Sequence, residues 1–199
     1  YSVKLTSEKM QVGLTVGEEK QAELHVRFAE ERVDEIEQVS KNETEPTEKK
    51  NKIRVAVDGL KVEMQKAQAN LDNVKQEPQQ AQKVVDSVKK VDEKTAEISA
   101  KLDQRKEELK DDVEITESLN EAEEVIADTA VKAVEVIVDK HEKGEVELSD
   151  EEIIETIEKI GKNIGKVEEK VKETAEQVDV VADRVAVDEI ANDVAKEEE

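Results

Sequence analysis

Few side chains in this sequence could do chemistry. His25 and His141 are the only imidazoles in 199 residues, and there is no Cys. A hydrolytic triad or an imidazole base would have to use one of these two, and thiolate, zinc-ribbon and disulfide chemistry are excluded. Helical bundles that hold metals do so with Glu three residues before His. The residue in that place is Ala22 for His25 and Val138 for His141. His25 therefore reads as a half-buried helix position, and His141 as a group near a helix end, where an imidazolium interacts favourably with the dipole.

The acidic clusters are the next candidates. Glu117, Glu121 and Glu124 form one, and Asp150, Glu151, Glu152 and Glu155 another. A Ca²⁺ loop alternates its ligands around a glycine turn. Neither cluster does so, and weak, diffuse attraction of divalent cations is the most they would support. A glycine loop that could cradle phosphate is missing too. The expectation is no catalytic residue, no cofactor and no dedicated metal ligand, hence a non-enzymatic protein.

Charge narrows the partners. The chain carries 53 acidic and 31 basic side chains, a net of −22. A surface of that sign repels phosphate backbones and anionic lipid, so nucleic acid is not an expected partner. The acidity is uneven: residues 1–100 hold 17 basic and 20 acidic groups, residues 101–199 hold 14 and 33. No apolar run approaches the 18 or more residues of a membrane span, so no membrane insertion is expected within this chain.

The elements that would position these groups are helices. Leu, Ile, Val and Phe make up about a quarter of the chain, above the roughly one fifth below which strong charge usually means disorder. Only Tyr1 and Phe28 are aromatic, and six Gly and two Pro are too few for the turns of a sheet protein. Narrow seams between helices suit this composition better than one thick core. The fold class is therefore all-α, an elongated antiparallel helix bundle or coiled coil of five or six helices.

The helices can be followed along the chain. Residues 2–14 form a short helix, 15–17 a break, and residues 18–41 a second helix with Ala22, Val26, Ala29, Val33, Ile36 and Val39 on one stripe. Pro46, tolerated in a first turn, opens a third, with Ile53, Val57, Leu60, Met64, Ala67, Leu71 and Val74 at alternating steps of four and three. Around Pro78 the chain either turns back as a hairpin or kinks within one rod. The hairpin is favoured, because antiparallel helices bury each other's stripes. A fourth helix runs from Ala81 through Val85, Val88, Val91, Thr95, Ile98 and Leu102 to Leu109.

Ser118 with Glu121 has the form of a capping box, which places a break near Val113 and a fifth helix from about Leu119 to Glu142, closed by Gly144. Ser149 followed by Glu152 opens the last helix, whose stripe from Ile153 to Val185 keeps a 3.5-residue repeat. Three regions result: an N-terminal helix hairpin over 1–43, a helical hairpin or kinked rod over 44–113, and an acidic coiled coil over 114–199.

Residues 1–40 carry a more specific pattern. Tyr1-x-x-Lys4 is followed by Glu8-Lys9, Glu19-Lys20 and then Ala22-Glu23-Leu24-His25-x-x-Phe28-Ala29-Glu30-x-Arg32-x-x-Glu35. This resembles a bacterial family of domains of unknown function that lie just outside a membrane segment or signal peptide. Its members share the Tyr-x-x-Lys start and the Ala-x-x-His-x-x-x-Ala-x-x-Arg-x-x-Glu helix; Val33 stands here where Leu is usual. The likeness covers about a fifth of the chain. It implies location more than activity: an extracytoplasmic protein (cell surface, periplasmic or secreted), tethered by a segment outside this sequence, consistent with a chain that opens on Tyr1. His25, Phe28, Arg32 and Glu35 are the residues it marks, either docking a partner or pinning the first two helices together, with Glu8 facing the second. The expected function is a scaffold, stalk or interaction module that engages a protein partner or itself. The alternatives are a sensor or chaperone-like binder, or a weak cation binder.

Overall fold

Apolar residues at steps of three and four, with only six Gly and two Pro to interrupt them, leave the backbone little choice but helix. In the computed structural model, which describes residues 2–43, 45–76, 81–109, 112–146 and 148–163, the order is α1 (Ser2–Leu14), α2 (Glu18–Asn42), α3 (Pro46–Gln76), α4 (Ala81–Leu109), α5 (Val113–Glu142) and α6 (Asp150–Asn163). Among the described residues there is no strand. The fold is all-α, a helical bundle. At about 1.5 Å per residue, the 31 residues of α3 span roughly 46 Å.

Four helices form the body. α2 packs on α3, α3 on α5, α5 on α4 and α4 on α2. The side-chain pairs give their directions. Gln21 meets Asn70 while Ser40 meets Lys49, so α2 and α3 are antiparallel. Glu23 pairs with Lys90 and Asp34 with Lys101, so α2 and α4 run parallel. Lys61 pairs with Glu121 and Lys75 with Glu135, so α3 and α5 are parallel as well. Two antiparallel pairs, α2/α3 and α4/α5, are thus laid side by side.

The chain does reverse between α3 and α4, but these helices bury their stripes against α2 and α5 rather than chiefly against each other. Mutual burial of α3 and α4, the reason for favouring a hairpin at Pro78, is therefore not what orders the chain. Pro78 itself lies outside the described residues. One apolar core runs continuously from Ala22 in α2 to Ile157 in α6, so the three sequence regions share a single interior. Every apolar residue of the α3 stripe is buried, as are Ala122, Ile126, Ala130, Ala133 and Ile137 of α5.

The start of α5 differs from the expectation. Its cap is Asp112, whose carboxylate accepts the backbone N–H of Ile115 at 3.2 Å, and Ser118 lies inside the helix. Burial of Ile115 explains the earlier start, since one more apolar contact is gained by extending the helix back. Gly144, at φ 65°, ends α5 in the left-handed conformation that glycine adopts without cost. At α6, Ser149 and Glu152 exchange backbone hydrogen bonds at 2.8 and 3.3 Å, a complete capping box. Ile153 and Ile157 then pack into the common core, with α6 seated on α5 and α4. The rest of the heptad stripe, from Ile164 to Val185, lies outside the described residues.

α1 is attached differently. Met10 is 64% and Leu14 77% exposed, so its apolar residues do not all face the bundle. It lies antiparallel on α2, with Lys4 paired to Glu31 and Glu35, Glu8 to Arg32, and Gln11 accepting from Arg27. Among the described residues no helix is long and apolar enough to cross a membrane.

Candidate functional site

The residues marked by the N-terminal pattern lie along α2, and the structure shows why each is of its type. Ala22 and Ala29 are fully buried, small enough to let the neighbouring helices approach. Arg32 is only 1% exposed and donates from Nη2 to both oxygens of Glu8 at 2.7 Å and from Nη1 to Glu35 at 3.2 Å. Glu35 also accepts from Lys4 on α1. Burial lowers the affinity of the Lys4 amine for its proton, but the hydrogen bonds to Glu35 and Glu31 outweigh this and raise its pKa above the usual 10.5. Arg32 and Glu35 are thus brought together, as structural pins between α1 and α2.

Room for the buried guanidinium comes from α3. A Cβ at Gly59 would stand 3.1 Å from both Cδ and Nε of Arg32. Gly59 is therefore the α3 counterpart of Arg32.

His25 and Phe28 form the second half of the site, one to two turns nearer the start of α2. Their rings meet edge to face with centroids 6.1 Å apart, and the Arg27 guanidinium stands 5.5 Å from the Phe28 centroid. His25 Nδ1 and Glu63 Oε2 of α3 are 2.6 Å apart, in a pair whose side chains are 8% and 6% exposed. Lys66 donates to the other Glu63 oxygen at 2.7 Å. Burial pushes the Glu63 carboxyl up, but the hydrogen bonds from His25 and Lys66 prevail and hold it below the usual 4.5. Glu63 stays ionised at neutral pH.

A cleft of about 290 Å³ opens over this pair. Glu8, Lys9 and Val12 of α1 form one wall, His25 and Phe28 of α2 the floor, and Glu63 and Lys66 of α3 the other wall. Glu8 reaches both halves, lining the cleft and bonding Arg32, so the four marked residues belong to one connected arrangement. Glu63, Lys66 and Gly59 are the members that inspection of the N-terminal pattern misses, because they lie in α3. Their signals were an isolated glycine within an otherwise helical stripe, and an acid and a base three residues apart flanking Met64.

His141 bridges two helices: its Nε2 lies 2.7 Å from Asp150 Oδ1, tying the end of α5 to the start of α6. Of the acidic clusters, Glu121 pairs with Lys61, Asp150 with His141, and Glu152 caps α6. No group of three or more metal-binding side chains is placed to hold an ion among the described residues. Comparison with family models, curated proteins and solved structures finds no match to this chain.

Proposed function

We propose that this chain is a non-enzymatic helical scaffold that works outside the cytoplasm and engages a protein, a partner or a second copy, through the face where α1 lies on α2 beside α3. The observation that carries this reading is where apolar surface is left uncovered. Among the described residues, the large exposed apolar side chains are Met10 and Leu14 of α1, Val16 in the break after it, and Val55 and Val62 of α3. α2, α4 and α5 contribute none of them.

Val55 and Val62 are seven residues apart, on one side of α3 and 49% and 46% exposed. Beside Val55 runs a trough of about 370 Å³, walled by Val39 of α2 and Val55 and Ala56 of α3, with Glu35, Asn51 and Lys52 at its rim. A cluster of apolar residues rimmed by polar ones is the usual form of a protein-binding surface. His25, Arg32 and Glu35 support this reading indirectly, since their internal pairs fix the helices that present the face. The extracytoplasmic setting rests on the likeness of residues 1–40 to a family found beside membrane segments and signal peptides.

The test is a photo-crosslinking residue placed at Val55 in the producing cell, with Glu97 on α4 as the control position. A discrete crosslinked product at Val55 and none at Glu97 is expected. Absence of any product at Val55, or equal products at both, would remove the reading. Protease added to protoplasts or spheroplasts checks the compartment: the protein is degraded if it is outside, and protected until lysis if it is not.

A further inference from the structure

The cleft between α1, α2 and α3 has an imbalance between donors and acceptors. Both oxygens of Glu8 accept from Arg32, and both oxygens of Glu63 are engaged, one by His25 and one by Lys66. The acceptors of the cleft are thus committed to protein partners. The donors are not. Lys9 makes no ion pair or hydrogen bond among the described residues, and the Lys66 ammonium carries N–H groups beyond the one it gives to Glu63.

The remaining wall is apolar, made by the Phe28 ring and Val12. At about 290 Å³ the cleft is at the small end of ligand pockets, which run from roughly 300 to 1,000 Å³. From this geometry we infer that the cleft is a binding site for a small amphiphilic monocarboxylate, its apolar tail lying against Phe28 and Val12 and its carboxylate taken by Lys9 and Lys66. A neutral or cationic amphiphile of the same length leaves these donors without an acceptor, and the cation also meets Lys9 and Lys66 at close range. Carboxylate selectivity follows from charge-assisted hydrogen bonds, which are stronger than neutral ones. The cleft lies beside the exposed α3 face, but its occupancy is read from ligand binding and the scaffold reading from crosslinking at Val55, so failure of one is distinguishable from failure of the other.

Octanoate is the probe, with octanol and octylamine as matched controls, titrated into the full chain at neutral pH and followed by amide chemical shifts and calorimetry. The expected result is saturable shifts centred on Val12, His25, Phe28 and Lys66, with octanol and octylamine at least about tenfold weaker, the loss of one charge-assisted hydrogen bond. Lys9→Gln, an exposed position with no internal partner, should weaken octanoate about tenfold without changing thermal unfolding. Val12→Phe should block binding by filling the space, and the Lys9 variant keeps the test valid if that substitution disturbs α1. The proposal is overturned if octanoate gives no shifts at these amides, if octanol or octylamine binds as well, or if Lys9→Gln binds undiminished. An N-acetylated tripeptide ending in Leu-Val with a free carboxylate is a further arm: if it binds better than octanoate, the site reads a polypeptide C-terminus and the small-molecule assignment is overturned.

Discussion

Replacing Gly59 by alanine should destabilise the protein, against the ordinary rule. In a helix interior this change normally stabilises by about 1 kcal/mol, because glycine has more backbone freedom to lose. Here the new Cβ would stand 3.1 Å from Cδ and Nε of Arg32 and 3.6 Å from its Cγ. Carbon atoms in contact prefer about 3.5–4.0 Å, so Arg32 would have to move by a few tenths of an ångström. It is held at both ends of that movement, by Glu8 through two 2.7 Å contacts and by Glu35 at 3.2 Å, and it is 1% exposed. Overpacking of a held side chain costs about 1–3 kcal/mol. Taking about 2 kcal/mol for the collision and about 1 kcal/mol for the helix gain leaves a net loss of about 1 kcal/mol.

Urea unfolding of Gly59→Ala, Arg32→Ala and the double variant measures this directly. In the Arg32→Ala background the collision is gone, and Gly59→Ala should stabilise by about 1 kcal/mol, a coupling of about 2 kcal/mol between the two sites. A stabilised Gly59→Ala single variant, or a coupling near zero, would refute the close approach of α3 to Arg32.

Other outcomes follow from the same geometry. Glu63 has a folded pKa below its unfolded value, so the stability it contributes is present above about pH 4.5 and is lost as pH falls through the folded value. The acid limb of a stability–pH curve should therefore be shallower in Glu63→Gln, a variant that is also less stable at pH 7 because it leaves His25 and Lys66 without a charged partner. The folded pKa of Lys101, placed 3.0 Å from both Glu30 and Asp34, is raised, since these contacts outweigh its burial. Its contribution is complete below pH 10.5 and lost as pH rises through the folded value, so Lys101→Met should flatten the alkaline limb. Ser149→Ala removes the cap of α6 and should cost about 1 kcal/mol in chemical unfolding.

What could be read from the sequence, and what could not, divides along physical lines. The α3 stripe from Ile53 to Val74 was legible because a helix facing a core must repeat at three and four, and each of those side chains is buried. Gly144 and the Ser149/Glu152 box were legible because caps are local chemistry. The start of α5 was misread because Ser118 and Glu121 have the spacing of a box, while Asp112, a cap of another type, lies six residues earlier. The pairing of α1 with α2 was legible, but which of α2, α3, α4 and α5 lie side by side was not. The stripes of α3, α4 and α5 are all aliphatic and carry no aromatic residue to tell them apart, and the arrangement is marked by distant polar pairs such as Gln68 with Thr129 and Lys132 with Asp72. The site was half legible: the α2 residues stood out as a pattern, whereas Glu63, 38 positions from His25, is brought to it only by the pairing of α2 with α3.

α1 is fastened to α2 mainly by the buried Glu8–Arg32 pair, which builds the cleft and shapes the face beside it. Removing one partner of a buried pair typically costs about 3–5 kcal/mol, which exceeds what the few other contacts of α1 can hold. Amide hydrogen exchange in Glu8→Gln tests this most directly. In that variant Lys9 to Val12 should exchange as an unstructured chain would, while Leu60, Met64 and Ile126 in the core keep their protection. Undiminished protection in α1, or an equal loss in α1 and the core, would contradict it.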